Sequence, residues 1–375
     1  MRRLPSIPRT HWRQQVEEAG LAWHSADEPY WNESAYYELT ARDVEVLESA
    51  TNELAELALG TAQHIIDNQL YAELGIPAIA VPLIENSWKS ERPSLYGRFD
   101  LAYDGVHPPK LLEYNADTPT SLLEAAVVQW YWLQDMFGAR DQFNSIHQRL
   151  IACWKQLMPY LPEGRIDFCS IDDAEDGMTV TYLLDTAQQA GLRSSIFPID
   201  EIGWNGHTFV GPNDQPLSAV FKLYPWEWMV CEEFGRHLAR ASTLWIEPPW
   251  KMLLSNKGML PVIWDLYPEH PNLLRASFDA PGAMTSWVRK PMLGREGANI
   301  TLHQVNGEIQ TGGEYGSGRF VYQEAAELGV FDGHYSVVGS WVIGHEENNA
   351  AGVGIRESTM PIMTNTSSFV PHVIG

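Results

Sequence analysis

Residues 94–121 read SLYGRFDLAYDGVHPPKLLEYNADTPTS. The segments 94–104 and 110–117 alternate apolar and polar side chains on either side of the turn-forming DGVHPP, which predicts a β-hairpin from Ser94 to Asp117. Residues two apart on a strand share a face, so Arg98 and Asp100 point one way on the first strand and Glu113 and Asn115 point one way on the second. A register that brings those faces together would gather a guanidinium, two carboxylates and an amide. Such an oxygen set suits Mg2+, which takes carboxylates together with phosphate oxygens. An arginine beside it can grip a phosphate or carboxylate through two parallel bonds. A solvated hairpin face with an Arg–Asp pair fits the same spacing, and spacing alone leaves the two readings level.

Outward from the hairpin, residues 43–70 carry apolar side chains at helical spacing, and 121–137 (SLLEAAVVQWYWLQDMF) form an apolar helix that Thr118 or Thr120 is placed to cap. The middle third changes character. RIDFCSID (165–172), a helix through TVTYLLDTAQQAG, then SSIFPID and AVFKLYP (219–225) give the strand–helix–strand series of a parallel sheet. Ligands of such sheets bind beyond the carboxyl ends of the strands, here near Asp172–Asp176 and Tyr224–Glu227. Residues 245–275 read as helical with proline punctuation, and the last hundred residues as β-rich. The fold class is α/β. The expected organisation is one compact unit with soft internal boundaries: 1–160 (helical region, hairpin and following helix), 161–245 (α/β subdomain) and 246–375 (lysines, glycine loop and C-terminal sheet).

The 375 residues are 45% hydrophobic and 19% charged, a globular composition. No apolar run approaches the roughly 20 residues that span a bilayer, and the basic start MRRLPSIPRTHWRQQ lacks the apolar core of a signal peptide. Cys153, Cys169 and Cys231 are far apart with no CxxC spacing, which suits reduced thiols in a cytoplasmic protein. The 25 basic and 48 acidic residues leave a net charge of −23, which repels nucleic acid and anionic membranes and favours cationic ligands such as amines or polyamines. Most of the 15 tryptophans, including those in WYW (130–132) and PWEW (225–228), suit core packing better than ligand pockets. The histidines show no HExxH spacing, GxSxG is absent, and no cysteine has a nucleophile signature, so zinc and hydrolase chemistries have little support. The oligomeric state is open, a homodimer being one option.

Two lysines and a glycine turn add cations. In WVRKPMLGREGANITL (287–302), Lys290 ends an apolar stretch and Gly294–Gly297 turns the chain into a second strand. There is no GxxxxGK[ST], so the chain is not a P-loop NTPase. A strand–glycine loop–strand can still fold over nucleotide phosphates through its N–H groups, although a plain hairpin is the commoner outcome. Lys257 in SNKGMLP is a second candidate, against the ordinary reading of a surface lysine. GVGIRES (352–358) places Arg356 on a glycine-lined strand that a ligand can approach closely, with a structural ion pair as the rival reading.

Taken together and in order, LYGRFDLAYDG, LLEYNADTPTSLLEAAVVQWYW, FKLYPWEWM, SNKGMLPVIW, VRKPMLGREGANI and GVGIRES resemble the synthetase domain of glutathionylspermidine synthase. They are more similar still to stand-alone bacterial homologues described as acid–amine ligases. The resemblance implies an ATP-grasp fold of the circularly permuted, glutathione-synthetase-like kind, with a pre-ATP-grasp-type α/β subdomain. It also implies an ATP- and Mg2+-dependent reaction in which a carboxylate is phosphorylated and an amine attacks the acyl phosphate. Under it, Asp100, Glu113 and Asn115 match metal ligands, and Arg98 and Arg356 the arginines of the phosphoryl centre. Lys257, Lys290 and Gln323 match nucleotide-binding positions, and Gly294, Arg295, Glu296, Gly297 and Asn299 the phosphate lid. Thr118 and Thr120 stand where the bifunctional enzyme has serines facing the thiol peptide, and Glu175 and Asp176 occupy an acidic pair tied to substrate recognition. The bifunctional enzyme's amidase, with its cysteine nucleophile, is not expected in 375 residues. The threonines, and the residues around Glu175, leave glutathione and spermidine open as substrates. Two alternatives are a carboxylate kinase or ATPase with a non-amine acceptor, and a nucleotide-binding regulatory module without turnover.

Overall fold

The computed structural model describes residues 1–25, 29–344 and 348–375. Its centre is an antiparallel sheet whose neighbouring strands run Ser368–Val370, Ala350–Ser358, His334–Ile343, Tyr96–Ala102 and Lys110–Asn115, with Gly329–Phe331 paired to His334–Ile343. The hairpin of residues 94–117 thus lies beside strands from the far end of the chain. Its Phe99 and Leu101 enter a core shared with the helix Ala41–Asp67. That helix begins with a reciprocal capping box between Thr40 and Asp43. It is tied to the sheet by Thr51 and Ser340 hydroxyls 2.6 Å apart. Tyr96 and Trp341 belong to a second core on the opposite face, where their rings stack at 6.0 Å.

The middle of the chain forms the expected parallel sheet, in the order Leu244–Ile246, Ala219–Leu223, Arg165–Ser170, Arg193–Pro198, with the helix Ala174–Gln189 in its crossover. A third, antiparallel sheet runs Ala276–Phe278, Phe320–Glu324, Trp287–Pro291, Thr301–Gln304, Gly307–Gln310. A small sheet joins Arg2–Pro5 and Ala35–Leu39 to His372–Ile374. Among the described residues, no helix is long and apolar enough to cross a membrane. The three cysteines are free, with Cys153 and Cys169 buried.

Two local expectations are corrected. Residues 245–275 are not mainly helical. Leu244–Ile246 pairs with Ala219–Phe221 as an edge strand that ends before Pro248 and Pro249. A 3-10 turn Pro249–Lys251, started by a proline at its first position, leads into the short helix Met252–Ser255, and Met259–Leu266 follows after a break at Asn256 and Lys257. Residues 121–137 are helical as expected, but neither Thr118 nor Thr120 caps them. Ser121 instead takes a left-handed conformation (φ 61°), and the helix opens into a π-turn over Glu124–Val128 before continuing as Gln129–Phe137. The tryptophans divide by position: Trp132 and Trp226 are fully buried, whereas Trp130 and Trp228 are partly exposed.

Candidate active site

The hairpin register pairs Arg98 with Asn115 and Asp100 with Glu113, so these four side chains occupy one face, as period-two alternation requires. A register shift just after Asp100 breaks the ladder beside them. Arg98 Nε donates to Asp100 Oδ1 at 2.6 Å, and a second guanidinium nitrogen donates to the carbonyl of Thr120 at 2.6 Å. Asn115 Nδ2 lies 3.4 Å from both Asp100 Oδ2 and Glu113 Oε1, bridging the two carboxylates.

Both lysines converge on this face. Lys257 Nζ lies 2.9 Å from Glu113 Oε2 and donates to the Gly294 carbonyl at 2.6 Å. It is therefore not a surface residue. Its own N–H bonds to Met292 O at 2.9 Å, fastening the break between the short helices to the start of the glycine loop. Lys290 Nζ donates to Leu112 O at 2.9 Å and to Gln323 Oε1 at 2.7 Å, and Gln323 Nε2 donates to Leu111 O at 2.9 Å. Burial alone would raise the Glu113 pKa, but Lys257 and Lys290 override it and hold the carboxyl down at about 2. Burial brings Lys290 down to about 8, with Glu113 opposing that shift.

These groups line a cavity of about 470 Å³ between the central and the third sheet. Its charged lining includes Asp100, Glu113, Lys257, Lys290 and Arg295, and its apolar wall includes Val288, Ile300, Leu328 and Val337. Such a pairing suits a flat apolar ring joined to an anionic tail. The glycine loop closes one side. Gly297 has φ +69°, and a Cβ there would come within 2.2 Å of Met363 O, so no larger residue fits. Asn299 turns the loop in a left-handed conformation (φ 54°) and accepts from Tyr315 N at 2.7 Å. Among the described residues no three His, Cys, Asp or Glu side chains converge as a metal cage. A cation here would rest on two carboxylates, on Asn115, whose amide offers its oxygen after a half-turn, and on oxygens of the ligand. That donor set fits Mg2+.

Of the remaining candidates, Arg295 lines this cavity and Arg356 a neighbouring crevice, whereas Thr118, Thr120, Glu175 and Asp176 line neither. Arg295 donates to Thr118 Oγ1 at 2.7 Å, pairs with Glu227, and lies 5.6 Å from the Trp228 ring centroid. The glycine loop is thus joined to the carboxyl end of the parallel sheet. Thr120 contributes its carbonyl to Arg98. Arg356, on the strand Ala350–Ser358, donates to Thr364 O and lines a narrow crevice with Arg98, Asp100, Ser121 and Trp341. Glu175 and Asp176 start the helix Ala174–Gln189, capped by Asp173. Burial, then the charges of Glu175 and Asp173, push Asp176 up to about 7 against a pull from Arg295. Burial and Glu175 also raise Glu296.

Four participants were assigned no role from the sequence. Asp117 accepts from Lys222 Nζ at 2.7 Å and from Trp226 N at 2.9 Å, locking the end of the hairpin to the parallel sheet. Glu227 lay within the expected strand-end region, but its partner could not be read from spacing. Glu124 and Tyr30 form a buried pair, with Tyr30 Oη donating to Glu124 Oε1 at 2.6 Å. The readable signal was one carboxylate inside the apolar run LLEAAVV, since an acidic side chain is rarely buried without a purpose.

Over residues 3–375 the chain matches the family described as glutathionylspermidine synthase preATP-grasp. A Haemophilus influenzae protein named "Putative acid--amine ligase" is 42% identical over 99% of both chains. Trypanothione synthetase of Crithidia fasciculata is 30% identical over 82% of this chain and 52% of its own. The bifunctional glutathionylspermidine synthetase/amidase of Escherichia coli is 26% identical over 90% of this chain and 59% of its own. The chain therefore spans little more than half the length of those last two relatives. Among solved structures, a glutathione synthetase-like effector from Globodera pallida superposes with a TM-score of 0.56 at 9% identity, covering 91% of this chain and 89% of its own, a likeness of fold. By class the chain is an enzyme, an ATP-dependent ligase that forms a carbon–nitrogen bond. It belongs to the glutathionylspermidine synthase family.

Proposed function

We propose that the protein is an ATP- and Mg2+-dependent carboxylate–amine ligase working through an acyl phosphate, on a circularly permuted ATP-grasp fold in which residues 161–245 are the pre-ATP-grasp-type subdomain. The observation that carries this reading is the meeting, on one cavity, of Asp100 and Glu113 from the hairpin face they share with Arg98 and Asn115, with Lys257, Lys290 and the glycine loop. The nucleotide ring takes the apolar wall, and its phosphates lie under Gly294–Asn299, near Lys257 and Lys290. Asp100, Glu113 and Asn115 hold Mg2+, which when bound neutralises charge on the transferring phosphoryl group.

A carboxylate oxygen of the acid attacks the γ-phosphorus, and ADP leaves. Arg98 and Arg356 border the crevice where the acyl phosphate forms, and they stabilise negative charge there. The amine then attacks the acyl carbon and phosphate departs. The protein's contribution is positioning and charge stabilisation rather than covalent catalysis. Thr118 and Thr120 face the acid, a small peptide or amino acid. The amine is an amino compound or polyamine, in keeping with the net charge of −23 and with the mutually interacting carboxylates Glu175, Asp176 and Glu296.

Incubation with MgATP and a cell metabolite extract, followed by mass spectrometry, should yield a mass equal to acid plus amine minus water. Substrate-stimulated ADP release should fall about 100- to 1000-fold in Arg98→Ala, with comparable losses in Asp100→Ala and Glu113→Ala. Unchanged turnover in all three would overturn the site. ATP binding with no ADP formed across a broad acid and amine panel would favour a binding module instead.

A further inference from the structure

Glu124 is 3% exposed, and no lysine or arginine forms an ion pair with it among the described residues. Burying such a carboxyl is costly, and an apolar side chain would suit the surrounding core of Leu122, Leu123, Ala125 and Val128 better. What Glu124 has is a path outward. Tyr30 Oη donates to it at 2.6 Å and stands 3.0 Å from Ser121 Oγ. Ser121 in turn lines the crevice between Arg98 and Arg356. An unbroken line of three oxygen-bearing groups therefore leads from the phosphoryl centre into the core. The backbone is shaped around it, with left-handed Ser121 at one end and the π-turn Glu124–Val128 at the other. Both are departures from regular helix of the sort that collects at functional sites.

The groups facing this line come from three other elements. Tyr30 lies on the segment before the strand Ala35–Leu39, Glu175 on the helix Ala174–Gln189, and Arg356 on the central sheet. Burial pushes Glu124 up to about 7, Tyr30 and Arg356 draw it down, and Glu175 adds to the rise. The carboxyl is thus poised to take up or release a proton near neutrality.

We propose that Glu124 accepts the proton that an incoming ammonium group must lose before attack, relayed through Ser121 and Tyr30. The inference rests on the ligase reading above. The ammonium gives a proton to Ser121 Oγ as Ser121 passes its own to Tyr30 and Tyr30 passes its own to the Glu124 carboxylate. The freed nitrogen lone pair attacks the acyl carbon, so the C–N bond forms. The C–O bond to phosphate breaks, with its electron pair leaving on phosphate. The second N–H proton leaves with the phosphate, and Glu124 returns its proton to solvent by the same line.

An acceptor already neutral at pH 7 has no need of the relay. Glu124→Gln and Tyr30→Phe are assayed with MgATP, the acid identified by the extract experiment, and either its native amine or hydroxylamine. Both variants should lose about 100-fold in turnover with the native amine, retain near wild-type hydroxamate formation, and lose the acid limb of the wild-type pH–rate profile near pH 7. Equal losses with both acceptors would mean a structural role and overturn the relay, as would no loss with either. If Glu124→Gln fails to fold, Tyr30→Phe keeps the carboxyl and decides alone. Absence of ADP from the wild type is a different result, which sinks the ligase reading itself.

Discussion

On the hairpin side of the crevice, carboxylates face cations at contact distance: Glu113 meets Lys257 at 2.9 Å and Asp100 meets Arg98 at 2.6 Å. Across the crevice, Glu124, Glu175, Asp176 and Glu296 act on one another, opposed by Arg295 and Arg356, and Arg295 already pairs with Glu227. In the first region each carboxylate has a cation partner, with Lys290 as a further positive charge, and Glu113 is held well below the ordinary carboxylate range. In the second, burial first and neighbouring negative charge second raise Glu124 and Asp176 to about 7. A balanced region can receive a phosphate–metal pair, in which both signs arrive together, whereas an unbalanced one is completed by a ligand bringing positive charge alone. Under the proposed function, one crevice would separate nucleotide chemistry from amine recognition.

The sharpest way to break this contrast is Glu113→Gln. It removes a proposed metal ligand and the carboxylate that faces Lys257 and Lys290, so substrate-stimulated ADP release should fall on the order of 1000-fold. Retention of activity within tenfold of wild type would show that the hairpin face does not serve the phosphates.

The next largest effect is expected at the seam. Lys222 is fully buried and Asp117 is its carboxylate partner. Asp117→Ala would leave that ammonium unpaired, at a cost of about 3–5 kcal/mol. Urea unfolding should show a lower midpoint at unchanged slope. An unchanged midpoint would mean that the hairpin is fastened to the parallel sheet by other contacts.

The hairpin was legible because strand alternation is a strict rule: once the turn was placed, the common face of Arg98, Asp100, Glu113 and Asn115 followed, and the register only had to agree. Lys257 was not legible in the same way. Nothing near SNKGMLP announces that its nitrogen will meet Glu113 far back in the chain: the residues offered Lys257 only as a candidate cation against a surface lysine, and the family resemblance gave it a nucleotide-binding role. The capping threonines failed for a related reason. Hydroxyls just before an apolar helix read as caps, but Arg295 takes the Thr118 hydroxyl, and left-handed Ser121 stands between the threonines and the helix. Tertiary partners outbid local ones. Glu124 escaped notice because an apolar run containing one acid reads as helix first, and the π-turn that carries the acid leaves no mark on hydrophobic periodicity.

Smaller, and opposite in sign for the two regions, is the response of stability to pH. The Glu113 carboxyl is depressed in the folded state, so its contribution is present above the ordinary glutamate range and lost as pH falls towards 2. Asp176 and Glu124 are raised, so the folded state holds their protons more tightly than the unfolded chain does. Their contribution is full below the ordinary carboxylate range and lost as pH rises through about 7. Each of these two carboxyls should therefore withdraw roughly 2 kcal/mol between pH 5 and pH 8, and Asp176→Asn should remove its own share of that slope. A rising slope across this interval would contradict the unbalanced region.

The smallest expected effect tests the bridge between the two regions. Thr118→Val keeps the side-chain shape but removes the oxygen that accepts from Arg295, while Glu227 and Trp228 continue to hold the guanidinium. Loss of one charge-assisted bond out of several is worth about 1 kcal/mol, or roughly fivefold in KM. If Thr118 serves the acid, that change should fall on the acid's KM and leave the KM for ATP alone. If Thr118 only steadies the glycine loop, the KM for ATP should move instead. The two outcomes assign Thr118 to one side of the crevice or the other.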